Sequence, residues 1–506
     1  MNMKPKNLGE LNEEVKRTNS ELSVLDLFRY MRVSFLKENV TQIQRAYIEN
    51  VGTEWPEIED IPEDTQKKFE KLIKKYGLLW DDLNFHFTYR LTELDDLINL
   101  FPELEIEREV IEHVINQGFL LSLLPLNLSL PTEAREKAIP KSDYYEVHPS
   151  KDVDPYGIFT EKSKITDKKT NRYLASRKFP HSALFNIHTT CHAGCVGCYK
   201  SFYVREKRKP LKGLEFESVV EQTKAFVDWL NENPEVYDII MSGGEPLMVS
   251  NETVKKMFAE FAKAKNLRII RICTGTVFLG LPFRIDDELL DFLKEFENKT
   301  GKRITFNVHL ANHQNITPEA LLAVHRIKER GFKLYSQVPI MEKVNFFKWN
   351  HEKTMKFLIE LGKRQAAAGV EPYKFIVDMH PRTLEYYVPL EQLLRIWSQL
   401  GESHDFPELE RPRTLSILCK EGNVILSGYT LLAIQKKIFK SKDLVVYTIP
   451  AVFSGTAEEP KVERVFTYYE PIMSANEDPQ SLEKLKKEIL SETKKSRNGA
   501  NGRRGG

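Results

Sequence analysis

The chain has 506 residues, too many for one ordinary domain, and we expect two or three. Its 74 basic and 73 acidic residues nearly cancel, so the composition gives no electrostatic reason to expect a nucleic-acid partner. Five cysteines, no charged-then-apolar start, and an apolar run at 119–131 too short and proline-interrupted to cross a bilayer predict a cytoplasmic protein without a membrane partner.

The first predicted region, residues 1–150, is helical. Apolar side chains recur there at helical spacing in the stretches 24–33, 69–76 and 106–115. Proline residues interrupt the pattern, because the residue before a proline avoids the helical conformation. No side chains in this region form a pattern typical of chemistry. The polar stretch that follows, 151–178, is predicted to be a loop over the next region.

Strand-like and helix-like runs alternate through the second predicted region, residues 151–402. Strands are predicted at 184–188, 238–241, 268–273, 304–310, 333–339 and 373–378. Helices are predicted between and after them, at 216–231, 252–264, 287–297, 318–330, 351–368 and 390–400. This α/β alternation favours a parallel sheet curled into a barrel, with active residues at the C-terminal ends of its strands.

The third predicted region, residues 403–480, is a small β-containing segment. Its strand-like runs lie near 413–418, 423–427, 443–449 and 464–469. The last region, 481–506, becomes basic and glycine-rich, and such a composition predicts a disordered tail.

Three cysteines directly follow the first predicted strand of the second region, at the spacing C-x3-C-x2-C. They are Cys191, Cys195 and Cys198. Thiolates bind iron–sulfur clusters, which usually take four cysteines, so three close thiolates leave one iron open to another ligand. The alternative is a structural zinc site with His192, His309 or His313 as the fourth ligand, although such sites normally use two well-separated ligand pairs. A disulfide is the weakest interpretation, since nothing indicates secretion.

The cysteine motif resembles the signature of the radical S-adenosylmethionine (SAM) enzymes, whose open iron binds the amino and carboxylate groups of SAM. A second motif supports this resemblance about one strand–helix unit later, in Gly243, Gly244, Glu245 and Pro246. It looks like the family's GGEP loop, which contacts the methionine amino group of SAM. Six strand–helix units also match the incomplete (β/α)6 TIM-like barrel of these enzymes.

Within that superfamily, residues 180–400 resemble the lysine 2,3-aminomutases. Four stretches carry the resemblance, at 242–253, 268–285, 307–317 and 331–345. The resemblance implies that His309 and Gln337 contact the ribose region of SAM, although His309 is also typical of a polar residue closing a strand. Tyr199 either flanks the adenine or packs against the barrel.

The strand that contains Tyr373 and Asp378 resembles the aminomutase strand whose aspartate holds the substrate ammonium. A buried carboxylate at a strand end suits a cationic amine. The alternatives for Asp378 are a helix N-cap and a structural ion pair.

Two departures from the aminomutase pattern concern pyridoxal phosphate and the residues after the cysteines. The family holds this cofactor through a lysine in a glycine-rich segment after the barrel, and residues 401–430 contain no such run. The nearest candidate, Lys420, has one nearby glycine, Gly422. The arginine-rich stretch after the cysteines is also changed, at 199–208. Pyridoxal phosphate and the amino migration therefore stay open.

The sequence as a whole predicts a radical SAM enzyme with an aminomutase-like barrel. A reduced 4Fe-4S cluster would cleave SAM to a 5′-deoxyadenosyl radical, with no catalytic residue predicted beyond the cluster and SAM. The expected partners are a flavodoxin- or ferredoxin-type electron donor and a small-molecule or peptide substrate. The alternatives are radical SAM modification of a peptide, protein or small molecule without pyridoxal phosphate, and a non-catalytic iron–sulfur or zinc-binding protein.

Overall fold

The computed structural model describes most of the chain, with gaps. The described residues are 4–56, 61–101, 124–129, 164–193, 195, 198, 200, 218–342, 344–378, 388–402, 414–419, 422–426, 428–440, 444–453, 462–471, 480–488 and 491. No helix in these ranges is both long enough and apolar enough to cross a membrane. The predicted sites at Tyr199 and Lys420, and the side chains of Tyr373 and Asp378, lie outside what is described.

The N-terminal part of the described chain is helical, as its periodicity predicts. Its helices are α1 Leu8–Thr18, α2 Val24–Asn39, α3 Gln42–Asn50, α4 Glu63–Tyr76, α5 Leu83–Thr88, α6 Leu94–Leu100 and α7 Pro125–Leu128. Buried aromatic side chains such as Phe28, Phe69 and Trp80 form a core for these helices. A buried ion pair, in which Arg32 of α2 donates to Glu319 at 2.8 and 3.1 Å, ties them to the rest of the protein.

A ten-stranded sheet forms the centre of the molecule. Its strands are β1 Lys164–Thr166, β2 Tyr173–Phe179, β3 Ser182–Asn186, β4 Asp238–Ser242, β5 Ile269–Thr274, β6 Arg303–His309, β7 Lys333–Ile340, β8 Glu371–Asp378, β9 Thr414–Cys419 and β10 Gly422–Ile425. They are hydrogen-bonded in sequence order, parallel from β3 to β9, with β1, β2 and β10 antiparallel. A separate antiparallel sheet contains β11 Gln435–Phe439, β12 Leu444–Phe453 and β13 Val462–Pro471.

Helices connect the parallel strands and cover one face of the sheet. They are α8 Val219–Glu232, α9 Asn251–Ala262, α10 Asp287–Thr300, α11 Pro318–Glu329, α12 His351–Ala367 and α13 Leu390–Glu402, followed by α14 Gly428–Ala433 and a helix at 481–488. A polar residue precedes each of the helices α8 to α12 as its N-cap. The side chain of this residue accepts a hydrogen bond from a backbone N–H of the first turn, which has no partner within the helix. These caps are Ser218, Ser250, Asp286, Thr317 and Asn350.

Alternating burial along the strands defines two faces of the sheet. In β5, Ile270 and Ile272 are buried within the main hydrophobic core, whereas Arg271 and Cys273 point to the less buried face. Successive side chains of a strand point to opposite faces, so each parallel strand gives one row to the helices and one row to the opposite side. Strand residues that line the cavity described below, such as His309 and Gln337, come from this second row.

The predicted α/β class is confirmed, and the six predicted strand–helix units correspond to β3 through α13. The strands predicted near 413–418 and 423–427 are also present as β9 and β10. The sequence assigned them to the third region, whereas they extend the large sheet, with β9 pairing in parallel with β8. Apolar alternation identifies a strand but not its partner, since pairing depends on residues far away in the chain.

Candidate functional site

A cavity of about 320 Å³ lies on the face of the sheet away from the helices. Side chains from β2 and β3 and side chains from β8 line it together, although several strands separate them in the sheet. The sheet must therefore curve around the cavity. The loops after β3 and β4 complete its lining, as expected for residues at the C-terminal ends of parallel strands.

The three predicted metal ligands, Cys191, Cys195 and Cys198, all line this cavity as free thiols. Burial, and then the neighbouring Cys195 and Glu245, raise the pKa of the Cys191 thiol well above its usual value. Burial and Cys198 raise the pKa of Cys195 to about 12. Such thiols stay protonated until a cation displaces their protons. They therefore fit a metal cluster, whose positive charge compensates that of the thiolates.

A single-ion site is not formed within the described residues, where no three His, Cys, Asp or Glu side chains converge closely enough to hold one. A cluster does not need such convergence, since three of its irons can each take one thiolate. Of the histidines considered as a fourth zinc ligand, His192 and His309 line the cavity, whereas His313 lines a different one beside α2.

Lys200, two residues after the last cysteine, is buried and fastens the cysteine loop to the strands. Its ammonium donates to Asn186 Oδ1 at 3.0 Å, Ser242 Oγ at 2.7 Å and the Gly243 carbonyl at 3.3 Å. These acceptors lie at the ends of β3 and β4, so Lys200 fastens the C-terminal end of the cysteine loop to these two strands. Sequence reasoning missed this residue, because a lysine is normally expected to be exposed.

Gly243 and Gly244 let the loop after β4 pack against the backbone that leads to the cysteines. Gly244 N–H donates to the His188 carbonyl at 2.7 Å, and Glu245 N–H donates to the Thr190 carbonyl at 2.8 Å. A Cβ added to Gly244 would lie 2.1 Å from the Thr190 carbonyl oxygen. Gly243 also has φ of 130°, which favours glycine. The sequence attributed both glycines to ligand approach, whereas their closest neighbours are backbone atoms of the same chain.

The Glu245 carboxylate ties the loop after β4 to the end of β5. It accepts from the Thr274 hydroxyl at 2.7 Å and from the backbone N–H groups of Gly275 at 2.7 Å and Leu247 at 3.2 Å. Burial raises the pKa of Glu245 to about 7, although these donors favour the ionised form. Pro246 then begins a short 3-10 helix, Pro246–Met248.

Arg284 holds the far side of the same loop. Its guanidinium donates to the carbonyls of Leu247 at 2.6 Å and Val249 at 2.9 Å, and to Asn251 Oδ1 at 2.7 Å. Arg284 lies in the stretch 268–285, which resembles the aminomutases. The sequence assigned no role to this arginine. The structure gives it one, which is to keep the loop after β4 against the sheet.

The wall formed by β6, β7 and β8 presents polar side chains in a continuous row. His309 of β6 pairs in register with Gln337 of β7, and Gln337 pairs with Lys374 of β8. All three line the cavity together with Asn307. The predicted His309 and Gln337 are therefore neighbours, whereas Asn307 and Lys374 were missed as site residues.

These wall residues make few bonds to the protein itself. The Asn307 Oδ1 atom is buried without a hydrogen-bond partner in the described chain. Burial lowers the pKa of His309 to about 4, so its ring is neutral at physiological pH. A neutral imidazole offers one donor and one acceptor. Buried polar groups usually have partners, so these side chains are available to a bound molecule.

Comparisons with known proteins agree with the motifs, although no family model matches the chain. It is 24% identical over 343 residues to a putative L-lysine 2,3-aminomutase of Aquifex aeolicus, covering 67% of this chain and 74% of that protein. It is 25% identical over 321 residues to the L-lysine 2,3-aminomutase of Methanococcus maripaludis, covering 62% and 68%. A glutamate 2,3-aminomutase of Clostridioides difficile is 21% identical over 314 residues, covering 61% and 67%. These similarities confirm the predicted resemblance to the lysine 2,3-aminomutase family and the prediction of an enzyme.

Proposed function

We propose that this chain, which resembles the lysine 2,3-aminomutases, is a radical SAM enzyme. The observation that carries the proposal is one cavity lined by three motifs that are distant in sequence: the cysteine loop, the loop of residues 243–245, and the pair His309 and Gln337. Parallel α/β sheets bind ligands at the C-terminal ends of their strands, where these motifs lie. We include in the proposal that the curved sheet is the incomplete (β/α)6 barrel of this superfamily.

In this proposal Cys191, Cys195 and Cys198 hold a 4Fe-4S cluster and leave one iron open to the amino and carboxylate groups of SAM. When bound and reduced, the cluster supplies the electron that cleaves SAM to methionine and a 5′-deoxyadenosyl radical, which abstracts a hydrogen atom from the substrate. The electron comes from a flavodoxin- or ferredoxin-type donor.

The chain's own residues hold and orient SAM. The loop of residues 243–245 binds the methionine amino group, and Tyr199 flanks the adenine. His309 and Gln337 bind the ribose region, where the neutral imidazole donates or accepts without adding a charge. The support for this arrangement is that both side chains face the cavity on adjacent strands.

Pyridoxal phosphate is not part of the proposal. The glycine-rich lysine segment of the aminomutases is missing from the sequence, and Lys200 is already bound to three acceptors. The reaction is then a radical modification of a small molecule or peptide rather than the 2,3-amino migration. Tyr373 and Asp378 on β8 select a substrate with a cationic or amide group.

Anaerobic purification followed by cluster reconstitution tests the proposal. We expect iron and sulfide in the ratio of a 4Fe-4S cluster, and reductant-dependent formation of methionine and 5′-deoxyadenosine from SAM. Borohydride reduction and peptide mapping should find no stoichiometric pyridoxyl label on Lys420 or on any lysine of 420–442. Such a label would restore the aminomutase assignment, and one bound zinc without iron would support the structural alternative.

A further inference from the structure

Lys374 lies on the cavity wall at a position that none of the motifs includes. Its Cα pairs with Gln337 on β7 and with Thr414 on β9, and its side chain lines the cavity together with that of Ile376. Residues two apart in a strand share a face, so Lys374 and Ile376 belong to the same inward row. Phe375, between them, is buried on the opposite face.

Among the described residues, the ammonium of Lys374 has no counter-ion. No hydrogen bond or ion pair joins it to another residue in the part of the chain that the structure describes. In the described part of the chain, the charged group that acts on it is Arg271, a second cation. Arg271 is already held by Asp238, to which it donates at 2.9 and 2.6 Å.

Burial, and then Arg271, lower the pKa of Lys374 to about 8, so its charged form is less favoured than that of a lysine in water. The other charged groups of the described lining do not relieve this. Glu245 accepts from three donors at the ends of β4 and β5, and Lys200 is a third cation. Because a partly buried charge without a partner is costly, an anion in the cavity would stabilise the charged form of Lys374.

We propose that Lys374 binds a carboxylate of the substrate. This inference rests on the proposed function, in which SAM occupies the space between the cysteine loop and Gln337. Lys374 is on the next strand beyond Gln337 and lines the same cavity, so it borders the space that this proposal leaves for the substrate. A single primary ammonium suits a carboxylate. A phosphate would need a further donor cluster, and the nearby guanidinium of Arg271 is committed to Asp238.

Reductive methylation of the full-length protein, loaded with cluster and SAM, tests the inference without knowledge of the substrate. The reagents are formaldehyde and cyanoborohydride, and the probes are butyrate and its uncharged counterpart butyramide. Only the neutral amine reacts, and a nearby carboxylate favours the charged form. A rise of about one pKa unit in Lys374 would slow its methylation about tenfold in saturating butyrate. Lys333, an exposed lysine paired with Glu371, serves as the internal control.

The inference predicts slower methylation of Lys374 in butyrate, no slowing in butyramide, and no change at Lys333. Equal rates in both probes would overturn it. A stoichiometric pyridoxyl label on Lys374 after borohydride reduction in the presence of pyridoxal phosphate would also overturn it, because the lysine would then bind a carbonyl group.

The outcomes for Lys374 separate from those for the proposed function. Cluster assembly and formation of 5′-deoxyadenosine from SAM without any substrate are measured in the unmodified enzyme, where they depend on the cysteines and the SAM site. Loss of cluster assembly in the unmodified enzyme would count against the proposed function. Normal cluster assembly without protection of Lys374 would count against this inference alone.

Discussion

Two walls of the cavity are built in opposite ways. The cluster wall consists of the cysteine loop with Lys200 and the loop of residues 243–245, and its polar groups bond to each other and to strand ends. The open wall consists of Asn307, His309, Gln337 and Lys374, whose side chains are left largely without protein partners in the described chain. The two loops of the cluster wall follow β3 and β4, and the open wall lies on β6, β7 and β8 of the same sheet.

The difference indicates which parts must be in place before a ligand arrives. An iron–sulfur cluster needs thiolates at set positions, and a network of buried hydrogen bonds supplies that rigidity. A side chain that is to bind SAM or substrate cannot also be hydrogen-bonded to the protein itself. The missing hydrogen bond lowers the stability of the folded protein. Substitutions in the cluster wall should therefore destabilise the fold, whereas substitutions in the open wall should mainly weaken binding.

Replacement of Lys200 by methionine should have the largest effect on stability. It leaves the acceptors Asn186, Ser242 and the Gly243 carbonyl without their donor, and each unsatisfied buried group costs about 1–3 kcal/mol. Chemical denaturation of the cluster-free protein should show a loss of roughly 3 kcal/mol. Lys333→Met, which removes an exposed lysine, should leave the unfolding free energy nearly unchanged. Similar values for both variants would show that Lys200 does not anchor the loop.

Glu245 should make the stability of the cluster wall depend on pH. Burial raises its pKa from 4.5 to about 7, so its contribution to stability is fully present below pH 4.5 and is lost as the pH rises through 7. One pKa unit corresponds to about 1.4 kcal/mol, so the native chain should lose roughly 3 kcal/mol over this range relative to Glu245→Gln. Denaturation of both cluster-free proteins at several pH values measures this. A constant difference between them would mean that folding does not change the pKa of Glu245.

Gly244→Ala should force the two loops of the cluster wall apart. The new methyl group would meet the Thr190 carbonyl, and overpacking of this kind costs about 1–3 kcal/mol. We also expect weaker SAM binding, measured by the spectral change on titration of the reconstituted cluster. Gly401→Ala is the matched control, since a Cβ there meets nothing within 4 Å and helix α13 favours alanine. Normal stability and SAM affinity in Gly244→Ala would contradict the close packing.

Gln337→Met should show the opposite behaviour, as expected of the open wall. The unfolding free energy should change by less than about 1 kcal/mol, because few internal bonds are lost, while SAM affinity falls about tenfold. Gln365→Met is the control, because buried Gln365 on α12 accepts a hydrogen bond from Ser336 at 2.9 Å. It should lower stability by about 1 kcal/mol and leave SAM affinity unchanged. Identical profiles for the two variants would remove the distinction between the walls.

Much of this arrangement could be predicted from the sequence. Hydrophobic periodicity located the parallel strands β3 to β8 and the helices after them to within a few residues. The spacing of the cysteines, and the motif resemblance at residues 243–245, His309 and Gln337, identified elements that the structure brings to one cavity. These signals are local, because each depends on residues close together in the chain or on a known motif.

The missed features depend on contacts between distant residues. Lys200 is buried and Lys374 is half-buried because the sheet curves around them, and a lysine in a sequence normally indicates an exposed position. The partner of β9 could not be predicted for the same reason. The sequence singled out Gly243 and Gly244 and took their neighbour to be a ligand, since a sequence shows that space is needed and not what fills it.

The most direct test of the account is the metal content and SAM cleavage of single cysteine variants. Cys191→Ala, Cys195→Ala and Cys198→Ala remove proposed ligands, whereas Cys273→Ala removes a thiol from the same cavity that is no proposed ligand. After anaerobic reconstitution, each of the first three should lose the cluster spectrum and form no 5′-deoxyadenosine from SAM. Cys273→Ala should retain both. A full 4Fe-4S signal in any of the three variants, or its loss only in Cys273→Ala, would contradict the assignment of the cluster to this loop.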